Sequence, residues 1–242
     1  MKHLYKPFFK SFLFLGTFLL TAVSVQAQQV SAVPGGPFNQ ATSWVNGVVP
    51  TEDWNPLTIS VNSEITKDDS FSWGAKVTVN GVFDVDGSFS VGYGGTEVNG
   101  ALIVLNDFQV GGGLVFGNSS QVAVGGFFKG FGGVTFGDEA VIEIGGDFEG
   151  NEGVGFGNSS QIMVGGSFTG SGGVDFGDEA VIEIGSSFNG SGGVSFGSNT
   201  MVNIPGAFVS TGGLNIGDES SFVVGGDFSI GGGSNANIRG DL

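Results

Sequence analysis

Acidic residues in adjacent pairs are the first feature of this sequence that could carry chemistry. The pairs recur every forty residues: Asp138-Glu139, Asp178-Glu179 and Asp218-Glu219. Asp84 and Asp86 provide two more neighbouring carboxylates. Paired carboxylates at a suitable separation act as general acid and base on glycosidic bonds, and carboxylate oxygens also bind Ca²⁺. The six recurring acids are therefore weak candidate metal ligands, and a polysaccharide hydrolase or lyase has to be considered.

Composition excludes several other chemistries. The chain has no Cys, and its single histidine is His3, within the N-terminal leader described next. Disulfide scaffolds, thiolate metal sites and Ser-His or Cys-His nucleophiles therefore have no residues to build them. No glycine cluster is followed by the Gly-Lys-Ser/Thr sequence of a phosphate-binding loop. A lyase would need a cation beside its acids, and the regular repeats from Val98 onward contain only Lys129. We expect no catalytic residue, no cofactor and no enzyme activity.

The first 27 residues have the pattern of a secretory signal peptide. Their positive segment contains Lys2, Lys6 and Lys10. Residues 12–23 are apolar, and Val25-Gln26-Ala27 offers compact residues for signal peptidase. The apolar stretch is shorter than the roughly 20 residues that a membrane span needs. We expect residues 1–27 to be removed, leaving a secreted or cell-surface protein without a membrane span.

Without this leader the protein is strongly acidic. Four basic residues remain against all 23 acidic ones, so the net charge changes from −16 for the whole chain to −19. Nucleic acids and anionic membrane surfaces should repel such a protein. The charge keeps a surface rich in Gly and Phe soluble, and an extracellular polysaccharide or a surface protein remains as the expected class of partner.

A twenty-residue repeat organises the rest of the chain. One column of phenylalanines keeps this spacing without a slip: Phe108, Phe128, Phe148, Phe168, Phe188, Phe208 and Phe228. A second column keeps the same step: Phe116, Phe136, Phe156, Phe176, Phe196 and then Ile216. Apolar and polar residues alternate within each copy, as in Val141-Ile142-Glu143-Ile144, which predicts short strands with one buried face. Glycine pairs such as Gly145-Gly146 and Gly172-Gly173 predict corners with positive φ between the strands.

Short strands, glycine corners and a fixed period predict an all-β, right-handed parallel β-solenoid. About nine coils of roughly 20 residues, with three strands each, would fill residues 57–233 and stack the Phe columns inside. The expected hand follows from the right-handedness of parallel crossovers. A forty-residue super-period also matches a propeller blade, but a blade needs four antiparallel strands of different character, and here each half repeats the other. The super-period instead places acidic corners two coils apart, which weakens their repulsion.

The two ends of the chain depart from the repeat. Residues 28–56 contain tryptophans and prolines and are expected to cap the first coil, whereas residues 234–242 form a short polar tail. The stretch Trp44-Val-Asn-Gly-Val-Val-Pro-Thr-Glu-Asp53, continued by Leu57-Thr-Ile-Ser-Val61, resembles the opening of G8-type segments at the head of secreted β-helix proteins. This resemblance covers roughly residues 40–92 and departs from the usual pattern at Trp54-Asn-Pro. It implies an extracellular β-rich surface protein and carries over no catalytic residue.

Two phenylalanines lie at positions of the repeat that are expected to be exposed. Phe127 and Phe131 replace the small or polar residues of other coils, such as Asp147 and Ser171, and form a candidate contact surface for sugar or protein. Arg239-Gly240-Asp241 spells an integrin-recognition tripeptide, which arises easily by chance in this composition.

The expected function follows from the architecture. The last coil should expose unpaired strand edges that can join a second copy of the chain. We therefore expect a non-catalytic extracellular structural or adhesive surface protein that associates end to end. The alternative is a carbohydrate-binding surface module.

Overall fold

The chain forms a parallel β-solenoid of about nine coils, as predicted. The structure is a computed structural model that describes residues 28–51, 53–231 and 236–238. Each complete coil contributes one short strand to each of three parallel sheets, here termed the first, second and third sheet. The predicted signal peptide and the Arg239-Gly240-Asp241 tripeptide lie outside the described residues.

The first sheet has eleven strands: Gln29–Val30, Leu57–Ile59, Val77–Val79, Thr96–Val98, Leu114–Phe116, Val134–Phe136, Val154–Phe156, Val174–Phe176, Val194–Phe196, Leu214–Ile216 and Ala236–Ile238. The second sheet has ten: Gly35–Pro37, Glu64–Lys67, Val82–Val85, Ala101–Val104, Gln121–Val124, Val141–Ile144, Gln161–Val164, Val181–Ile184, Met201–Ile204 and Ser221–Val224. The third sheet has nine: Phe71–Trp73, Phe89–Val91, Phe108–Val110, Phe128–Gly130, Phe148–Gly150, Phe168–Ser171, Phe188–Ser191, Phe208–Ser210 and Phe228–Ile230. A single 3₁₀ turn, Ala41–Ser43, precedes the regular coils in the described part of the chain.

The phenylalanine columns form the interior, as predicted. The ring of Phe168 lies between those of Phe148 and Phe188, with centroids 4.5 and 5.0 Å away and nearly parallel planes. In the second column the rings of Phe156 and Phe176 are 4.8 Å apart and 2° from parallel. The stacks exist because residues twenty apart are paired in register, so that one coil spacing separates identical side chains. All these rings are buried except that of Phe228.

Corner glycines act in two different ways. Gly172 and Gly173 have positive φ, as predicted. The same prediction is wrong for Gly145 and Gly146, whose φ is not positive. A Cβ at either position would come within 3.0 Å of a carbonyl oxygen of the preceding coil, so close approach of the backbones requires glycine there. Positive φ occurs instead at non-glycine residues of the corner between the first and second sheets: Asn62, Ser119, Glu139, Ser159, Glu179, Asn199 and Glu219.

The N-terminal segment both extends and covers the solenoid. Strands Gln29–Val30 and Gly35–Pro37 continue the first and second sheets. The third sheet begins only at Phe71, and the ring of Phe38 packs against it with a centroid distance of 4.8 Å. Trp44 lies edge-on to Phe38 at 5.0 Å and donates its indole N–H to the Phe38 carbonyl at 2.8 Å. Buried aromatic side chains thus occupy the place where a further third-sheet strand would lie.

Candidate functional site

The recurring acidic pairs lie at the corner between the first and second sheets, on the surface of the solenoid. The second residue of each pair adopts positive φ, as Glu139 does at 58°. Its backbone N–H donates to the Asn158 carbonyl of the next coil at 2.8 Å. Backbone hydrogen bonds therefore join successive corners into one continuous ladder.

Side chains reinforce this corner ladder from coil to coil. Oδ1 of Asp138 accepts the N–H of Asn158 at 2.7 Å, and Oδ1 of Asn158 accepts the N–H of Asp178 at 2.9 Å. The hydroxyl of Ser159 donates to Oε2 of Glu179 at 3.1 Å, and Ser119 donates likewise to Glu139. The alternation of neutral and acidic corners thus places a serine hydroxyl donor beside a glutamate acceptor on the next coil. It also separates like charges.

The structure does not gather the candidate metal ligands into a site. Acidic corners are two coils apart, which corresponds to about 10 Å at the spacing of parallel strands. The pair Asp138-Glu139 therefore does not converge with the pair Asp178-Glu179. The pair Asp178-Glu179 likewise does not converge with Asp218-Glu219. Within the described residues no group of three or more His, Cys, Asp or Glu side chains is placed to hold a metal ion.

Asp84 lies on the outer face of the second sheet. Burial raises the pKa of this carboxyl, and the charges of Asp86 and Glu64 raise it further. A raised pKa is one property of a general acid. Lys67 on the preceding coil is in register with Val85 and not with Asp84, and its ammonium lies 2.9 Å from Oδ2 of Asp69.

The candidate contact surface is a row of three outward side chains on and directly beside the third-sheet strand Phe128–Gly130, which we term the aromatic strip: Phe127, Lys129 and Phe131. Phe128 and Gly130 between them point inward and are buried, since successive side chains of a strand alternate. Phe127 is 38% exposed and Phe131 is 44% exposed. The ammonium of Lys129 lies 5.0 Å from the ring centroid of Phe131 and 2.8 Å from Oε2 of Glu149.

Carboxylates border the aromatic strip on the neighbouring coils. The N–H of Phe127 donates to Oδ1 of Asp107 at 3.0 Å. On the other side, the N–H of Phe128 donates to the carbonyl of Asp147 at 2.8 Å. Phe127 therefore lies between two acidic residues in its column. The two acids are not part of the contact surface expected from the sequence. The twenty-residue period could have identified them, because it makes positions 107, 127 and 147 neighbours.

A shallow hollow of about 500 Å³ lies on the outer face of the second sheet. Ile103, Leu105 and Met163 provide apolar walls, and Glu143 is the only charged side chain that lines it. A substrate site needs several convergent polar groups in a concave setting, and this hollow does not provide them.

No family model, curated protein or solved structure matches this chain. Among the described residues, no helix has the length and apolar character required to cross a membrane.

Proposed function

We propose that this protein is a non-catalytic structural or adhesive rod at the cell exterior. The observation that carries the proposal is the uninterrupted stacking of three parallel sheets around an apolar interior. From Leu114 to Ile216 every first-sheet strand pairs with the strand twenty residues later, so no inserted loop builds the walls of a cleft there. Nine coils at the strand spacing give a rod roughly 40 Å long.

Sequence features support an extracellular location. Residues 1–27 have the composition of a cleavable signal peptide, and the chain that follows carries a net charge of −19. The G8-like stretch in residues 40–92 is typical of the head of secreted β-helix proteins. Together these features favour a soluble surface component over a cytoplasmic one.

End-to-end association would give such a rod its structural role. Ser221–Val224 and Phe228–Ile230 are the last strands of the second and third sheets within the described residues. Phe228 stacks on Phe208 at 5.2 Å on one side and is 39% exposed. A strand edge that the described residues leave unpaired is a template for another chain, and two such ends can meet around a two-fold axis. The opposite end is covered by Phe38 and Trp44.

Two measurements test the proposal. The purified protein is incubated with a panel of neutral and acidic polysaccharides, and we expect no increase in reducing ends and no unsaturated product. Antibodies against the protein should label intact cells that produce it. Polysaccharide cleavage, or labelling only after the cells are permeabilised, would overturn the proposal.

A carbohydrate-binding surface module is the second candidate. The exposed rings of Phe127 and Phe131 favour it, because aromatic faces on a flat sheet can stack on sugar rings. A glycan array separates the two functions, since a purely structural rod binds no sugar.

A further inference from the structure

The aromatic strip already holds one cation of the chain itself. Lys129 lies over the ring of Phe131 and pairs with Glu149, so its ammonium has an aromatic face on one side and a carboxylate on the other. This is the arrangement that attracts a cation to a ring, because the negative face of the ring and the carboxylate act together. The cation–π contact at Phe131 is thus the kind of contact that the second exposed ring, Phe127, can offer to a cation from outside.

Phe127 also has carboxylates beside it, but no cation of the chain lies over its ring among the described residues. Asp107 and Asp147 lie beside it on the two neighbouring coils, about 4.8 Å away on each side by strand spacing. Oδ1 of Asp107 accepts the Phe127 N–H, and Oδ1 of Asp147 accepts the Ser167 N–H at 2.7 Å. The second oxygen of each carboxylate is not engaged by any described residue.

Nothing in the fold requires phenylalanine at position 127. The residues of this column in the other coils are small or polar: Ser88, Asp107, Asp147, Ser167, Ser187, Ala207 and Asp227. Phe127 points away from the core and leaves more than a third of its surface exposed. A residue that departs from a regular pattern without a gain in packing indicates a role at the surface.

We propose that Phe127, Asp107 and Asp147 form a subsite for an arginine side chain of a basic partner protein. A guanidinium is planar, so it can lie on the ring while its N–H groups reach the carboxylates on both sides. A net charge of −19 would also steer a basic partner toward the rod. The inference rests on the proposed adhesive function and names the class of partner.

The test uses a fluorescent hexa-arginine peptide and its anisotropy with the purified protein at low salt. Phe127→Ser leaves the net charge unchanged and introduces the residue that the column has at Ser167. We expect this variant to bind the peptide about two- to fivefold more weakly, since only the cation–π contact is lost. Equal affinity, with an unchanged melting temperature, would show that binding is non-specific charge attraction and overturn the proposal.

A charge-matched pair of variants tests the two acids. Asp107→Asn with Asp147→Asn keeps the side-chain oxygens that accept backbone N–H groups, as Asn118 and Asn158 do at the corner ladder. Asp175→Asn with Glu183→Gln removes the same charge from the other two sheets. We expect the first pair to lose more affinity for hexa-arginine than the second, and equal losses would contradict the subsite.

Three further outcomes keep this inference separate from the proposed function. If hexa-lysine binds as tightly as hexa-arginine, the subsite does not recognise a guanidinium and the inference is wrong. If a neutral glycan requires Phe127 while hexa-arginine does not, the carbohydrate-binding alternative replaces it. Polysaccharide cleavage by the protein would overturn the structural function whatever the peptide does.

Discussion

A Cβ atom on Gly150 would collide with Cγ2 of Val154, which lies four residues later and in a different sheet. Gly150 ends a third-sheet strand with its Cα facing the interior, and Val154 begins the next first-sheet strand. Gly130, Gly170 and Gly190 have the same relation to the valines that follow them. The glycines of this column therefore lie within strands and do not form corners. Glycine here makes room for a branched side chain where two sheets converge.

Two glycines of one coil should respond differently to alanine. Gly150→Ala should lower the free energy of unfolding by roughly 1–3 kcal/mol, because the added methyl group overpacks the interior against Val154. Gly155→Ala should not lower the free energy of unfolding, since no atom lies within 4 Å of a Cβ at Gly155. Reduced entropy of the unfolded chain should make Gly155→Ala neutral or stabilising by up to about 1 kcal/mol. Urea unfolding compares them, and equal losses would contradict the convergence argument.

The phenylalanine stack should dominate core stability. Phe168→Ala removes a fully buried ring between Phe148 and Phe188 and should cost roughly 3–5 kcal/mol in urea. Phe131→Ser removes an exposed ring at a position that the third sheet fills with Ser171 two coils later, and should cost little. Similar destabilisation by both variants would exclude the internal stack.

The left-handed corner should discriminate between two identical substitutions. Glu179 has a φ of 59°, which a β-branched residue adopts only at a cost, so Glu179→Val should destabilise the protein by roughly 1–2 kcal/mol. Glu183 is an exposed, outward residue of a second-sheet strand, where valine is a favourable residue. Glu183→Val should therefore be neutral or slightly stabilising in thermal melts. The reverse order would contradict the corner geometry.

The raised pKa of Asp84 predicts a specific dependence of stability on pH. Its ionised form is disfavoured in the folded state by burial, Asp86 and Glu64. The resulting cost is fully present above the raised pKa and disappears as the pH falls below the ordinary value of 3.8. Asp84→Asn should stabilise the protein at neutral pH, by a small amount because the group is largely solvated. The difference from the wild type should vanish in acid.

Glu97 provides a control of opposite sign. The hydrogen bond from Lys76 at 2.7 Å lowers the pKa of Glu97, and that from Asn99 at 3.1 Å lowers it further. Its contribution to stability is present above the ordinary value of 4.5 and is lost as the pH falls through the lowered pKa. Glu97→Gln should therefore destabilise the protein at neutral pH and match the wild type in acid. Urea unfolding across this pH range measures both variants, and shifts of the same sign would be inconsistent with these environments.

End-to-end association should appear as a dimer that depends on concentration. Phe228→Asp places a charge at the exposed end of the stack and should keep the protein monomeric, whereas Phe127→Ser on the side of the rod should leave the dimer intact. Sedimentation over a range of concentrations compares the three proteins. A strict monomer of the wild type at high micromolar concentration would remove end joining from the proposed function.

The sequence by itself determined the architecture of this protein. A period of twenty with phenylalanine at Phe148, Phe168 and Phe188 predicts coils in which identical rings stack. Alternation within each copy predicts the inward face of each strand. The acidic corner at Asp138-Glu139 was also located by its place between two strands. The Phe columns, the strand faces and the acidic corner depend only on spacing along the chain. The period gives that spacing directly, without any knowledge of the distances between coils or sheets.

Only the tertiary structure decided how individual residues serve that architecture. Gly146 and Gly150 are both glycines near a corner, yet one avoids a carbonyl of the preceding coil and the other avoids the side chain of Val154 in another sheet. The positive φ lies at Glu139 and not at Gly145. These differences arise from distances between coils and between sheets, which are set by the packing of the whole cross-section. The placement of Phe127 between Asp107 and Asp147 likewise acquires meaning only once the register brings three coils together.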